Sequence, residues 1–479
     1  MKKLITAVLI CVGVGTSQQV EAQNLKVTTN GRYLETLDSK PFFWLGDTAW
    51  ELFHKLDREE AVHYLKTRAN QGFTVIQAVI LAERDGVRTP NAYGELPFLN
   101  FDPTRPNEAY FSHVDFIITE ANKLGLTIGV LPTWGDKVFS AHPGAGPIIF
   151  NAENAKIYGR FLGKRYRDND LVWILGGDRS VANEEVAQTW EAMAEGLDEG
   201  GNATHLITYH PRGSSSSSDS FTDADWIDFN MYQSGHVKKF NDVYRYAQKD
   251  LALRPIKPTV EGEAAYEDIP LKFWDYMKFE PGEFSAFTDE NGNLKDRTPF
   301  PEGFFTGYDV RVLAYWNMLA GAAGYTYGNN AVWQMHKNGE TFVIPTLTDW
   351  KGALKRPGAE SMTYFRKFFE GIDFTKIMSD QELILSENPE NENHIRAARA
   401  NDGSFLIAYL AKPREVTLDL SEMTGAKLSG VWYNPRTGKS KALPKFSPTN
   451  PLTTSPPTNG PEDDWVILIL DKVEIRREK

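Results

Sequence analysis

Two carboxylates, each at the end of a short hydrophobic segment, are the residues whose type and spacing best suit chemistry. Asp178 follows the apolar run LVWILGG, and Glu263 lies in TVEGEAAYE. Active-site residues of α/β enzymes gather where parallel strands end. Two carboxyl groups facing each other there could cleave a glycosidic bond, one protonating the leaving oxygen and the other attacking or activating water. The sequence therefore predicts glycoside hydrolysis, with Asp178 and Glu263 as the catalytic pair.

Glu261 leaves a choice to be made at the second of these positions. It lies two residues before Glu263, so both side chains of an extended strand would point to the same side. We expect Glu263, nearer the end of the strand, to be the nucleophile and Asp178 to be the acid/base. Burial beside Glu263 would give Asp178 the raised pKa that a general acid needs. Two alternatives stay open: Glu261 as the nucleophile, and Asp178 as the N-cap of the next helix.

Polar and aromatic residues also gather at the ends of the other hydrophobic segments, where they could bind a sugar. A tryptophan there could stack on a sugar ring, although packing in the core is the commoner role of any single tryptophan. Together with Glu261, the predicted substrate-binding residues are Asp47, Trp50, Trp134, Arg179, His210, Tyr232, Gln233, Tyr266, Trp333 and Gln334.

A metal site is an alternative interpretation of the histidines at these positions. His210 and His236 could bind a metal ion together with Asp136. No HExxH or CxxC spacing supports such a site, so we expect neither a metal nor another cofactor. The corresponding alternative function is a metal-dependent isomerase or lyase.

Eight hydrophobic segments, which alternate with amphipathic helical patterns, must position these residues. Each segment is short and continuously apolar, as expected of a strand that is covered on both faces. Eight strand–helix units favour a TIM barrel over a doubly wound sheet. We therefore predict an α/β fold with a (β/α)8 barrel over residues 23–380. The eight segments are FFWLGDTAW, FTVIQAVI, LTIGVLPTWGD, LVWILGGDRS, HLITYHP, DWIDFNMYQSGH, KPTVEGEAAYE and YTYGNNAVWQ.

The character of the chain changes after residue 380. Short strand-like segments, from ELILSE to DWVILIL, are separated by turn signals such as Asn401-Asp402-Gly403. This pattern predicts a smaller C-terminal antiparallel β-sandwich over residues 381–479.

Two further expectations concern the barrel itself. The long stretch 268–307, rich in Phe, Pro and Gly, follows the seventh segment and should hang over the catalytic face. Arg311 lies in the apolar helix that comes next, and we expect it to pair with Glu261 or Glu267.

The N-terminus predicts export. Residues 1–22 combine a basic start, an apolar run too short to span a bilayer and small residues before a cleavage point, as in a secretory signal peptide. The only cysteine, Cys11, lies within them, so the mature chain would contain no disulfide. Removing Lys2, Lys3 and Glu21 would change the formal net charge from −12 to −13. Such an acidic chain disfavours nucleic acid as a partner. We expect a periplasmic or secreted monomer without a membrane span.

Four motifs in the same order resemble the apiosidase-like glycoside hydrolases: WLGDTAW, WILGGDR, EGEAAYE and DVRVLAYWNMLAGAAGYTYGNNAVWQ. That family has a TIM barrel followed by a collagen-binding-type β-sandwich. The resemblance implies Asp178 as acid/base, Glu263 as nucleophile, and release of apiose from the rhamnogalacturonan-II side chains of plant pectin. Related members often read Asp-Gly-Glu-Pro where this chain has Glu261-Gly262-Glu263-Ala264, so the neighbouring sugar subsite departs from the family's pattern.

Two other functions remain compatible with the same residues. A glycosidase on this barrel could act on another plant or host glycan. A barrel that had lost catalysis could instead bind sugars without cleaving them, although the presence of both carboxylates argues against this.

Overall fold

A computed structural model describes residues 24–140, 146–280 and 282–471 of the chain. The predicted signal segment, residues 1–22, lies outside the described residues. Three short antiparallel strands come first in the described chain and pair with one another in the order β1–β2–β3. They are β1 (Leu25–Val27), β2 (Leu34–Thr36) and β3 (Pro41–Phe42).

Eight parallel strands then form the barrel, one from each of the eight hydrophobic segments. They are β4 (Trp44–Thr48), β5 (Val75–Val79), β6 (Thr127–Leu131), β7 (Leu171–Gly176), β8 (Ile207–His210), β10 (Asn230–Gln233), β11 (Thr259–Glu261) and β12 (Gly324–Tyr327). A short strand, β9 (Ser215–Ser216), lies antiparallel to β10 and follows it in the order β8–β7–β6–β5–β4–β12–β11–β10–β9. Bonds between the segments at β8 and β10 close the circle, since Asp228 N donates to Ile207 O at 2.9 Å. The predicted TIM barrel is confirmed.

Helices surround the barrel and cover the outer faces of its strands. The described helices are α1 (Leu52–Lys55), α2 (Arg58–Asn70), α3 (Glu108–Lys123), α4 (Ala152–Tyr166), α5 (Glu184–Gly201), α6 (Ser218–Phe221), α7 (Tyr244–Ala252), α8 (Gly307–Met318), α9 (Asn330–Trp333), α10 (Trp350–Ala353) and α11 (Pro357–Glu370). Within the described ranges, every helix is too short or too polar to cross a membrane.

The barrel strands are buried on both sides, and alternate residues face the interior and the helices. Trp44 points inward, where its Nε1 donates to Thr326 Oγ1 at 3.2 Å. Gln77 also points inward, and its Nε2 reaches across the barrel to donate to Gly262 O at 2.8 Å. Asp47 faces the other way, because Arg68 of α2 donates to it. This alternation decides which polar side chains can reach the mouth of the barrel.

The C-terminal domain is an antiparallel β structure built on a six-stranded sheet, in the order β13–β14–β15–β20–β17–β18, with a separate two-stranded sheet, β16–β19. Its first strand begins at Ile377, four residues before the boundary predicted at 381. The segment ELILSE forms only a single bridge, between Ile384 and Leu418, rather than a strand. The strands are β13 (Ile377–Ser379), β14 (Ile395–Ala400), β15 (Phe405–Leu410), β16 (Val416–Leu418), β17 (Leu428–Asn434), β18 (Lys439–Ala442), β19 (Leu452–Thr454) and β20 (Trp465–Asp471).

A buried ion pair joins the two domains. Arg311 of α8 donates from Nε and Nη2 to the two carboxylate oxygens of Asp464, at 2.7 and 2.8 Å. Tyr409 of β15 donates to the same carboxylate at 2.8 Å, and its ring stacks on Tyr315 of α8 with centroids 4.6 Å apart. The prediction that Arg311 pairs with Glu261 or Glu267 is therefore wrong. Arg311 lies on the outer face of α8, which meets the second domain. Its partner, Asp464, lies 153 residues farther along the chain.

Candidate active site

A left-handed turn at the end of β7 presents Asp178 to the mouth of the barrel. Gly176, Gly177 and Asp178 have φ values of +86°, +118° and +52°. Glycine adopts such angles freely, and aspartate is among the few other residues that tolerate them. A Cβ on Gly177 would lie only 2.8 Å from the ring of Trp134. The N-cap alternative for Asp178 is wrong, because Asn183 caps α5 by accepting a hydrogen bond from Val186 N.

The surroundings of Asp178 favour its protonated form. Burial, followed by the negative charge of Glu263, raises the pKa of Asp178 to about 6. Arg179 opposes this shift from 3.3 Å, but its guanidinium is shared with Glu83, 2.7 Å from Nη2. The Asp178 side chain remains 40% exposed, so a ligand in the mouth can reach it. Asp178 thus has the properties of a proton donor.

Two histidines favour the ionised form of Glu263. His236 Nε2 lies 3.2 Å from Glu263 Oε1, and His210 Nε2 lies 3.1 Å from Oε2. Burial alone would raise the pKa of Glu263, but the contacts with His210 and His236 outweigh it and lower the pKa to about 2. An ionised carboxylate at the mouth is suited to nucleophilic attack or to activation of water.

Aromatic rings form a wall beside the two carboxylates. Trp50 lies 5.1 Å from Trp134 and 5.5 Å from His210, measured between ring centroids. Trp50 Nε1 donates to the hydroxyl of Tyr266 at 3.0 Å. Burial and the neighbouring charge of Glu263 raise the pKa of Tyr266 well above its ordinary value, so this hydroxyl stays neutral. The structure therefore brings Trp50, Trp134, His210 and Tyr266 together around Asp178 and Glu263.

Gln233 and Trp333 border the same end of the barrel. Gln233 ends β10, and its buried Oε1 has no hydrogen-bond partner in the described protein. Trp333 ends α9, where its carbonyl accepts a hydrogen bond from Glu51 N at 3.2 Å and its Nε1 donates to Asn330 Oδ1 at 3.2 Å. Gln233 keeps a free acceptor for a ligand, whereas the indole nitrogen of Trp333 is already used.

Two predicted substrate-binding residues face the helices instead of the mouth. Asp47 accepts hydrogen bonds from Arg68 Nε, at 2.6 Å, and from the Tyr64 hydroxyl, both on α2. The Tyr232 hydroxyl donates to Asn317 Oδ1 of α8. Side chains alternate between the two faces of a strand, and both residues occupy positions whose side chains point outward. The structure does not bring Asp47 or Tyr232 into the site.

Glu261 also lies outside the mouth. Its side chain is fully buried, and its Oε1 accepts a hydrogen bond from Ser234 N at 3.0 Å. Burial raises the pKa of Glu261 to about 8, so the group is a neutral acid at pH 7. It pairs in register with Tyr325, whose hydroxyl donates to Val310 O on α8 at 3.1 Å, so both side chains face the helices.

The expectation that Glu261 and Glu263 share one side of a strand is not met. The strand β11 ends at Glu261, and the chain bends at Gly262 and Glu263. A Cβ on Gly262 would lie 2.5 Å from Met231 Sδ, so the bend brings the backbone close to β10. The bend separates the two carboxylates and leaves Glu263 alone in the mouth.

Gln334 organises a loop and has no free hydrogen-bonding atom. Its Nε2 donates to Asn330 O and Ile344 O, at 2.8 and 2.9 Å, and its Oε1 accepts from Val343 N at 2.7 Å. A sugar contact by this side chain would require breaking one of these bonds.

The residues considered for a metal site have other partners. Asp136 Oδ1 lies 2.6 Å from Lys137 Nζ, and Oδ2 accepts from Arg84 N at 2.8 Å. His210 and His236 both contact Glu263. Across the described ranges, no three or more His, Cys, Asp or Glu side chains are arranged to hold a metal ion.

The strand-end pattern missed Glu83 and assigned His236 only to a metal. Glu83 lies in the loop after β5 and holds Arg179 beside Asp178. Inspection of the residues just beyond each strand could have identified it. The role of His236 depends on a contact between the ends of β10 and β11, for which the sequence carries no signal.

The long insertion after β11 packs against the catalytic face, as expected. Phe273 lies 6.1 Å from the ring of His236, and Arg84, in the loop after β5, lies 5.5 Å from the ring of Phe279. Trp274 and Phe279 remain 42% and 40% exposed. The insertion therefore joins the loops after β5 and β10 and adds aromatic surface near the site.

Family models match both domains. Residues 28–376 match the model described as "Apiosidase-like, catalytic domain". Residues 378–471 match the model described as "Putative collagen-binding domain of a collagenase". No curated protein matches the chain.

Solved structures share the architecture of the whole chain. A structure described as a glycoside hydrolase is 31% identical, with a TM-score of 0.81, and the match covers 94% of this chain and 97% of that one. A glycoside hydrolase family 5 protein from Bacteroides vulgatus is 29% identical, with a TM-score of 0.80 and coverage of 94% and 93%. These comparisons confirm a glycoside hydrolase fold and catalytic domain.

Proposed function

The chain belongs to the apiosidase-like glycoside hydrolases, and we propose that it is a retaining enzyme that releases apiose or a similar sugar from the rhamnogalacturonan-II side chains of plant pectin. The observation that carries the glycosidase part of this proposal is that two carboxyl groups in one mouth have opposite surroundings: two histidines contact Glu263, and neither is bonded to Asp178. The pKa of Asp178 is raised to about 6, and the pKa of Glu263 is lowered to about 2. Between those values one group is an acid and the other a base, as glycoside hydrolysis requires.

Each carboxyl group has a defined part in the proposed reaction. In the first step Glu263 attacks the anomeric carbon while Asp178 donates its proton to the departing glycosidic oxygen, so the leaving sugar chain is released as an alcohol. In the second step Asp178, now ionised, takes a proton from water, and the resulting hydroxide displaces Glu263 from the anomeric carbon. The sugar leaves with its original anomeric configuration, and both carboxyl groups regain their starting protonation states.

Support for the sugar and the location comes from outside the catalytic pair. The apiosidase-like family model favours apiose, and the rings of Trp50 and Trp134 offer surfaces on which a sugar can pack. The signal-like sequence of residues 1–22 supports export to the periplasm or beyond the cell. Pectin is too large to enter a bacterium directly, so its first cleavages occur where an exported enzyme would meet it.

The test is to incubate the protein with rhamnogalacturonan-II oligosaccharides and separate the released monosaccharides. Parent protein should release apiose, and the first product observed by NMR should keep its anomeric configuration. Asp178→Asn and Glu263→Gln should abolish release; asparagine is chosen because it tolerates the positive φ of residue 178 better than alanine does.

Each other outcome points to a different conclusion. Release of another sugar from another glycan would keep the glycosidase and overturn the substrate. Inversion would overturn the nucleophilic role of Glu263. Binding of oligosaccharides in calorimetry, without release of any sugar, would identify a non-catalytic sugar-binding protein.

A further inference from the structure

The two histidines that contact Glu263 differ in what their other ring nitrogen touches. His236 Nδ1 lies 3.3 Å from the backbone N–H of Tyr266, which can only donate. Nδ1 is therefore the unprotonated nitrogen of His236. Its Nε2 carries the proton and donates to Glu263 Oε1 at 3.2 Å. A neutral imidazole ring can therefore make both of these hydrogen bonds.

His210 has the opposite arrangement. Its Nδ1 lies 3.0 Å from the carbonyl oxygen of Pro211, which can only accept, so Nδ1 carries a proton. Its Nε2 lies 3.1 Å from Glu263 Oε2, and the ring is fully buried. In a neutral ring with Nδ1 protonated, the lone pair of Nε2 would face a carboxylate oxygen. One of these two groups, His210 or Glu263, must therefore carry an additional proton.

The contact between Nε2 and Oε2 is an ion-pair contact more than a directed hydrogen bond. Both atoms are buried, yet they lack the alignment of a hydrogen bond despite their 3.1 Å separation. The other oxygen of Glu263 accepts a hydrogen bond from His236, which favours the ionised carboxylate and so places the proton on the His210 imidazole.

We propose that His210 is an imidazolium in the resting protein and acts as the positioning cation for both catalytic carboxyl groups, whereas His236 is a neutral hydrogen-bond donor to Glu263. The charged groups facing His210 are Glu263 and Asp178, while its packed neighbours Trp50 and Trp134 are uncharged. The roles of the two carboxyl groups rest on the proposed function, but the protonation states of the histidines do not.

A cation at this position acts on the two carboxyl groups in the same direction. It stabilises the ionised form of Glu263, and it lowers the pKa of Asp178 against the effects of burial and of Glu263. Loss of the charge should therefore raise both pKa values. The pH range of activity should move upward as a whole, on its acid limb and on its alkaline limb.

Glutamine provides a matched pair of substitutions, because it keeps an N–H donor and has no charge. His210→Gln should move the alkaline limb of kcat/KM upward by about one pH unit or more, the size of effect expected for an opposite charge at close range. His236→Gln, which replaces one neutral donor by another, should leave both limbs in place. Equal movement of the limbs in the two variants, or movement only in His236→Gln, would overturn the proposal.

A second measurement does not depend on activity or on a substrate. The protein is labelled with ¹⁵N in its histidine rings, and the two substitutions assign the His210 and His236 signals in NMR spectra at neutral pH. Both nitrogens of His210 should be protonated, and His236 should have one protonated and one bare nitrogen. A bare nitrogen on His210 would refute the proposal even if every tested glycan were cleaved. Two protonated nitrogens on His210 would uphold its imidazolium state even if none were, and that result would separate this inference from the proposed function.

Discussion

Acidic residues are buried both in the mouth of the barrel and in the layer between its strands and the helices, but their pKa values are shifted in opposite directions. Glu263 lies in the mouth beside two histidines, and its pKa is lowered to about 2. Glu261 lies two residues earlier in the layer, with one backbone N–H as its hydrogen-bond partner, and burial raises its pKa to about 8. Burial by itself neutralises a carboxyl group, and only a set of suitable partners keeps it ionised.

Individual polar atoms in the mouth and between the two domains also differ in their pairing. In the layer between the domains, Asp464 accepts hydrogen bonds from Arg311 and Tyr409, and both of its oxygens are used. In the mouth, Trp134 Nε1 and Gln233 Oε1 are buried without a partner in the described protein. An unpaired buried polar group destabilises a fold but remains available to a ligand. Trp134 Nε1 and Gln233 Oε1 are therefore available for binding, whereas the bonds of Asp464 contribute to stability.

The largest effect should come from removing either carboxyl group in the mouth, whereas the same change at the neighbouring Glu261 should have none. Asp178→Asn should lower kcat by about 10²–10⁴-fold, the usual contribution of a general acid, and Glu263→Gln should lose at least as much. Glu261→Gln should leave kcat unchanged, since its side chain does not reach the mouth. Kinetics of sugar release from rhamnogalacturonan-II oligosaccharides measure all three. Loss of activity in Glu261→Gln alone would reverse the assignment of the nucleophile.

The second effect concerns the interface between the domains. Asp464→Asn leaves Arg311 buried without a carboxylate, and breaking such a pair costs about 3–5 kcal/mol. Activity well below the unfolding temperature should persist. Glu390→Gln is the matched control, because Glu390 pairs with Arg245 across the same domains with side chains 65% and 56% exposed. Chemical denaturation should show a loss of at most about 1 kcal/mol for this exposed pair. Similar losses of unfolding free energy in both variants would contradict the expected difference between a buried and an exposed ion pair.

A third prediction tests the neutral state of Glu261. A carboxyl group whose pKa is higher in the folded than in the unfolded protein stabilises the fold most at low pH, and this contribution is lost as pH rises. The loss should extend from near the ordinary value of 4.5 up to about 8. The Glu261→Gln variant cannot ionise at this position. The unfolding temperature of the variant, relative to that of the parent, should therefore increase as the pH rises from 5 to 8. A constant difference over this range would show that Glu261 is already ionised.

The smallest effect is the pH dependence of the parent enzyme. Glu263 must be ionised and Asp178 protonated, so kcat/KM should rise through about pH 2 and fall above about pH 6. Each further pH unit on the alkaline limb should cost about tenfold, which is 1.36 kcal/mol. Rates of sugar release from rhamnogalacturonan-II oligosaccharides, whose leaving group needs protonation, measure this limb between pH 4 and pH 8. A plateau extending past pH 8 would mean that Asp178 is not the group that must be protonated.

The sequence predicts the barrel well because its signal is local. Eight short apolar segments and the helical patterns between them are enough to indicate the fold. Asp178 and Glu263 are identifiable because catalytic residues follow strand ends.

The direction in which each strand residue points is a different matter. Asp47, Tyr232 and Glu261 sit on strands buried on both faces, where the alternation of polar and apolar residues that would show their direction is lost. The pairing of Arg311 with Asp464 joins two domains, and no local pattern contains it.

Helix α8 has a consequence for how this protein can be divided or recombined. One helix bonds the barrel wall through Asn317 and the second domain through Arg311. A barrel expressed alone would expose Arg311 without its carboxylate partner, together with the ring face of Tyr315. A C-terminal domain fused to another enzyme would carry Asp464 without Arg311. Exchange of this C-terminal module between enzymes requires a compatible helix on the recipient. The two domains therefore depend on each other at this interface, and an expression clone should keep both.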